Sequence, residues 1–322
     1  MNDSTAAGPP PTREQFEGSL LGAAVGDALA APWEGIPADL IYQNGPAERI
    51  VAEPGRRMLR YTDDTQMTVG VIETLIAHGR IDVLHLAGRF AANYHPDRGY
   101  GQGARRIINA IGAGEDWETL AETLFNGEGS LGNGAAMRSA PIGLFFSESL
   151  ETVAEQADLS AAPTHRHPIG IDGARLMAVA AALAARSAGR PFDRKSFLET
   201  LGRFTATEEF QWQIGHALRL KPFRSLVSFG NSLEAHRSVM TAILCFADSP
   251  DSYEEAVTRA IAQGNDVDTL ACMTGALSGA RLGRDAVPQR LIDRLEDTEQ
   301  GRDRLIEFAR QLEAKSRSPR SS

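Results

Sequence analysis

Cysteine is nearly absent from this 322-residue chain: Cys245 and Cys272 lie far apart, each in an apolar, helix-like stretch. That scarcity excludes a disulfide framework and a thiolate zinc site, and leaves two core thiols in a reducing compartment. Alternating β-branched patterns are missing too, which argues against a sheet-based fold. Positive charge is short: the formal net charge is −9, so sequence-independent nucleic acid binding is not expected. The most apolar run, Leu176 to Ala185, is about half the length that crosses a bilayer. The opening MNDSTAAGPPPTRE is polar and Pro-rich, without the apolar core of a leader. The expectation is a cytoplasmic protein with neither membrane nor nucleic acid as partner.

What is present is helical pattern nearly throughout. Ala, Leu, Glu and Arg abound, and Gly/Pro punctuation recurs between apolar segments. Residues 14–30 carry Gly18, Gly22 and Gly26 at a spacing of four, which bares one helix face so that a second helix backbone can come close. Residues 65–78 place Ile72, Leu75 and Ile76 on one face. Residues 169–187 are apolar or Ala on almost every side, as in a helix buried all round. Residues 267–282 repeat the small-residue device with Gly275 and Gly279. No internal repeat or linker divides the chain. The expected fold is all-α, a single-domain orthogonal bundle of a dozen or so helices over residues 13–314, with disordered segments at 1–12 and 315–322.

Two acidic clusters carry the chemistry. Thr62-Asp63-Asp64-Thr65 runs straight into an apolar helix, and helix capping by Thr62 or Asp63 is one reason for acids there. Asn265-Asp266-Val267-Asp268-Thr269 has the same composition and also opens an apolar helix. Two carboxylates one residue apart can converge from a turn, and with the threonine hydroxyls they make an all-oxygen set suited to Mg²⁺ or Mn²⁺ rather than zinc. Together the clusters point to a site for two divalent ions. Asp27, inside the glycine-bearing helix, is read as a structural acid that fixes a loop by hydrogen bonds. Glu34, just after Pro32, is better placed to orient water or accept a proton.

Glycine-rich stretches at Gly99-Tyr100-Gly101-Gln102-Gly103 and Gly129-Ser130-Leu131-Gly132-Asn133-Gly134 each lead towards a helical segment, an arrangement that lets backbone N–H groups approach a pyrophosphate. Read in order, GSLLGAAVGDALAAPWEG, YTDDTQMT, RGYGQG, GSLGNGAAMRSAPIG, THRHPIGIDGA and GNDVDTLACMTGALSGARLG resemble the signature blocks of the ADP-ribosylglycohydrolase family, from about Gly18 to Gly283. The family includes hydrolases that act on ADP-ribosylated dinitrogenase reductase and on ADP-ribosyl-arginine and ADP-ribosyl-serine.

The resemblance implies an all-α fold with a binuclear magnesium centre. Thr62, Asp63, Asp64, Asp266, Asp268 and Thr269 match the family's metal ligands, and Glu34 its acid beside them. The general base is left among Asp63, Asp64 and Glu34, with Asp268 as the shared ligand. Gly99, Gly101 and Gly103, with Ser130, Gly132 and Asn133, match loops that wrap the diphosphate and ribose, and His165 lines the cleft. The sequence departs from the family in two places. Asn265 and Val267 replace a Gly and a Thr of the last block. Leu131 stands where an aromatic often stacks on adenine, so Tyr100 or Phe125 becomes the candidate stacking residue.

The activity expected from the resemblance is removal of ADP-ribose from protein, arginine-linked first, with O-linked serine or a free ADP-ribose derivative as the alternative. A different reading is an immunity protein that blocks a cognate ADP-ribosyltransferase by binding it. With no heptads or exposed apolar stripe, the chain is read as a monomer. His165 and His167 are expected to line the cleft or brace a loop, Met137 to sit in the core and Trp33 to pack. Arg138 is expected either to be ion-paired internally or to lie near the phosphates.

Overall fold

The computed structural model describes residues 9–44, 47–52, 55, 57–222 and 226–318. The first helix, Arg13–Ala30, is started by a reciprocal cap: the Thr12 hydroxyl accepts from Gln15 N, and Thr12 N donates to the Gln15 side chain at 2.9 Å. Its glycines meet the Val267–Leu282 helix running the opposite way. A Cβ on Gly18, Gly22 or Gly26 would fall 2.5, 2.5 and 2.3 Å from Gly283 C, Gly275 O and Ala271 O. Backbone therefore lies on backbone along this pair, as the glycine spacing predicted. The Tyr253 hydroxyl closes the contact by donating to Gly22 O at 2.8 Å.

Around this pair pack Pro168–Arg186, Ala235–Ala247 and Asp63–His78, and one continuous apolar core joins them. Pro168–Arg186 is long and apolar enough to cross a membrane by composition, but 83% of its apolar window is buried inside the protein, the mark of a core helix. Its continuous apolar run, Leu176 to Ala185, is shorter because Asp172 and Arg175 interrupt the first turns. The helices are more fragmented than expected, with short ones such as Ala38–Gln43, Ala47–Ala52 and Ala140–Phe145 between the long ones. The one sheet among the described residues is minimal: Ile36 and Pro37 pair antiparallel with Asn265 and Gly264.

The expected disordered ends lie partly outside the described residues, at 1–8 and 319–322. Where described, they are more ordered than expected. Thr12 caps the first helix, and the last helix, Arg302–Ser316, runs past Lys315 because Leu305, Phe308 and Leu312 anchor it to the core. Both cysteines are free and buried.

Candidate metal and substrate site

The first acidic cluster sits at the start of the Asp63–His78 helix. Thr62 is its N-cap, accepting from Asp64 N at 3.4 Å, so the capping reading holds alongside the chemical one. Its main chain hangs from side-chain carboxylates. Fully buried Asp27 accepts from Thr62 N at 2.9 Å, from Thr65 N at 3.1 Å and from the Thr65 hydroxyl at 2.6 Å. Asp27 is thus the loop-fixing acid that its position suggested. Glu296 accepts from Tyr61 N at 3.0 Å and clamps Arg98, whose guanidinium reaches both carboxylate oxygens and Tyr61 O and lies over the Tyr61 ring. One buried ion pair therefore fixes the residue before Thr62 and the residue before Gly99.

The second cluster opens the Val267–Leu282 helix. Asn265 takes the left-handed region at φ +60°, uncommon without glycine, and its carbonyl accepts from Gly35 N at 2.8 Å. That two-residue ladder carries Glu34 to the cluster. Carboxylate oxygens of Glu34, Asp266 and Asp268 all lie within 4.8 Å of one another, Glu34 exposed and the two aspartates buried. The clusters touch through Asp64 Oδ2, which accepts from the Thr62 and Thr269 hydroxyls, each at 3.3 Å.

Crowding raises the acids. Burial and then the neighbouring Asp27, Glu34 and Asp266 push Asp63 up to about 8. Burial followed by the surrounding aspartates holds Asp64 well above the usual carboxylate range. Burial, and then Asp266, Glu34 and Asp27, do the same to Asp268. Partial burial and Asp266 raise Glu34. Asp64 Oδ1 is buried with no hydrogen-bond partner among the described residues. An orphaned carboxylate oxygen inside an all-oxygen set, with its neighbours reluctant to ionise, fits a divalent cation. Asp63 belongs to neither hydrogen-bonded group; its carboxylate faces the Gly99 loop, 3.5 Å from where a Gly99 Cβ would stand.

The second glycine loop is tied to the second cluster. Asn133 Nδ2 donates to Asp266 at 2.5 Å and to Ser238 Oγ at 3.0 Å, and Asn133 N donates to Leu233 O. His165 lies beneath Gly132 and Gly134, its Nδ1 2.7 Å from the Thr164 hydroxyl, and burial pushes it down to about 3, so it is neutral. His167 accepts from Ile169 N and starts the Pro168–Arg186 helix. Both histidines take the loop-bracing one of their two expected roles.

Two expectations for the cleft need correcting. Tyr100 is buried, its hydroxyl on Gln66 at 2.9 Å and its ring edge-on to Tyr94, so it supports the loop and has no free face for a base. Arg138 makes no ion pair among the described residues, which removes one of its two expected roles. It is fully buried on Gly134 O, Ser160 O and the Thr164 hydroxyl, with its guanidinium over Phe90. Phe125 is exposed, at φ +53° in a break of the Trp117–Gly127 helix, its ring over Gly103. Leu131 is half-buried. Trp33 packs on the core edge and Met137 within it. Sequence reading missed Arg98 and Glu296, which carry no motif and stand 198 residues apart.

A mainly helical scaffold that brings an oxygen-only acidic cluster beside two glycine loops suits a divalent cation and a phosphorylated ligand. The family model for ADP-ribosylglycohydrolase matches residues 8–322, and the chain belongs to that family. It is similar to ADP-ribosylhydrolase ARH3 of Gallus gallus, 34% identical over 87% of this chain and 88% of that one. The Homo sapiens ARH3 is 33% identical over 85% and 87%. The ADP-ribosyl-[dinitrogen reductase] glycohydrolase of Rhodospirillum rubrum is 27% identical over 89% and 92%. The fold matches a solved ADP-ribosylglycohydrolase-related protein complex at TM-score 0.72 and 24% identity, covering 94% of this chain and 98% of that one.

Proposed function

We propose that this chain is a Mg²⁺-dependent hydrolase that cleaves the glycosidic bond at the distal ribose of ADP-ribose. The observation that carries this reading is the convergence of Glu34, Asp266 and Asp268 within 4.8 Å, with Asp64 joined to them through Thr269. Thr62, Asp63 and Asp64 on one side, and Asp266, Asp268 and Thr269 on the other, would hold two ions. Divalent ions held by these residues would neutralise the crowded carboxylates and supply polarisation of water and ribose hydroxyls. Glu34, exposed at the rim, accepts a proton from attacking water. The Gly99 and Gly129 loops offer backbone N–H groups to the diphosphate. Neutral His165 keeps the second loop in place without adding charge beneath it.

The same site could serve either linkage. Greater identity to ARH3 than to the dinitrogen reductase glycohydrolase ranks O-linked ADP-ribose first and arginine-linked second. The test is release of ADP-ribose from serine-linked and arginine-linked peptides side by side, with Mg²⁺ and with EDTA. Release that EDTA leaves intact would sink the metal; release from neither peptide would sink the activity.

A further inference from the structure

Arg138 has no exposed surface, and it carries a full charge with no carboxylate bonded to it among the described residues. A cation buried in that way is costly, and an apolar side chain of similar size would fill the space at less cost. What a guanidinium offers there, and a methionine does not, is direction, because all of its hydrogen-bonding groups donate.

Nη1 donates to Gly134 O at 2.8 Å, and Nη2 donates to Ser160 O and to the Thr164 hydroxyl, each at 2.9 Å. The Thr164 oxygen is thus an acceptor on the Arg138 side, and its own proton points elsewhere. Thr164 is 2% exposed, and the other partner of its hydroxyl among the described residues is His165 Nδ1, 2.7 Å away. The hydroxyl proton therefore goes to Nδ1, which receives it only with a bare lone pair. A neutral imidazole with a bare Nδ1 carries its proton on Nε2.

Packing holds the ring in that sense. A Cβ on Gly170 would stand 3.0 Å from His165 Cδ2, and one on Gly132 or Gly134 would stand 3.6 Å from Nε2. The Nε2 edge therefore lies under the second glycine loop, while Nδ1 is taken by Thr164. Turning the ring over would set a carbon against the Thr164 hydroxyl and strand its proton.

We propose that Arg138 and Thr164 are positioning residues that fix His165 as its Nε2–H tautomer, so that the ring presents a proton donor under Gly132 and Gly134. This inference rests on the functional reading above: oxygen atoms of a diphosphate on that loop meet a donor, where a lone pair would repel them. The relay has a direction because its first member cannot accept. Without Arg138, Ser160 O loses a donor, and the Thr164 hydroxyl, four residues on, is free to turn towards it. The Thr164 oxygen then accepts from Nδ1–H, and Nε2 is left bare.

Nitrogen NMR of the isotope-labelled histidines tests it, since long-range correlations distinguish a protonated ring nitrogen from a bare one. The His165 signals are those missing from His165→Asn. At neutral pH, free of metal and ligand, the wild-type chain should show Nε2 protonated and Nδ1 bare. Thr164→Ser, which keeps the hydroxyl, should give the same pattern. Thr164→Val keeps the Arg138 charge but cuts the relay, and should populate the Nδ1–H form; Arg138→Met should do the same. In Thr164→Val, KM for an ADP-ribosylated peptide should rise by roughly threefold or more with kcat little changed. A wild-type ring protonated on Nδ1, or a wild-type pattern in Thr164→Val, overturns the relay while the activity stands. A shifted tautomer with unchanged KM overturns its role towards the ligand. The wild-type, Thr164→Ser and Thr164→Val spectra decide the matter if Arg138→Met fails to fold. No turnover of any ADP-ribosylated peptide, with the spectra as expected, overturns the functional reading and leaves the tautomer assignment in place.

Discussion

The two acidic clusters each pair two aspartates with threonine and are built in opposite ways. Thr62-Asp63-Asp64-Thr65 hangs from side chains: Asp27 and Glu296, both buried acids, accept the N–H groups of Tyr61, Thr62 and Thr65. Asn265-Asp266-Val267-Asp268-Thr269 is held by main chain and amides: the left-handed Asn265, the ladder to Ile36 and Pro37, Asn231 on Gly264 O and Asn133 on Asp266. A loop suspended from one or two carboxylates can be released by one substitution. A loop held by distributed backbone bonds yields only in small steps.

The difference can be broken or sharpened in order of expected size. Asp27→Ala strands two main-chain N–H groups and a hydroxyl in the core, and should cost about 3 kcal/mol or more of folding stability in urea titrations. A loss below about 1 kcal/mol would mean that the first cluster does not hang from Asp27. Saturating Mg²⁺ comes next. At a hundred times its Kd it should add about 2.7 kcal/mol, seen as a rise in Tm, and Asp268→Ala should gain almost none of it. A third effect comes from His165 beneath the second loop. Its folded value of about 3 lies below the free 6.5, so its contribution is complete above pH 6.5 and is lost as pH falls towards 3. By pH 5 the loss is about 2 kcal/mol, and His165→Asn should flatten that slope. An unchanged slope would place the proton uptake elsewhere.

Smaller effects belong to the second cluster. Asn265→Ala should cost about 1 kcal/mol through its positive φ, whereas Asn265→Gly should fold as well as the parent chain; equal losses would show that the side chain, not the backbone conformation, matters there. Glu34→Gln should shift stability least, by under about 0.5 kcal/mol, because the side chain is exposed. Its turnover should nevertheless fall steeply. Preserved turnover would remove Glu34 from proton transfer.

Much of this was legible in the residues because its causes are local. Glycines at 18, 22, 26, 275 and 279 announce close helix contact through spacing alone, and the contact is there. Adjacent acids before an apolar helix announce both a cap and a charge problem, and Thr62 and Asp64 show both. The illegible parts are those set by distant partners. Arg98 and Glu296 look like ordinary surface charges until the fold buries them together. Tyr100 reads as a cleft residue because it stands among glycines, yet Gln66, from another helix, draws it inward.

The glycine-bearing helix pair has a consequence for timing. Glu34 follows the first helix and Asp266 opens the helix packed on it, so the ladder Ile36–Asn265 must close a chain loop of more than 200 residues. Closing so long a loop is slow, because its entropy cost comes before its contacts exist. On a ribosome adding about 5–20 residues per second, the N-terminal helix waits tens of seconds for its partner. During that interval its bare glycine face has no partner helix to pack against, although Asp27 can already meet Thr62 and Thr65. The two acidic clusters therefore come together in the last stage of folding, and a nascent chain carries the first long before the second exists.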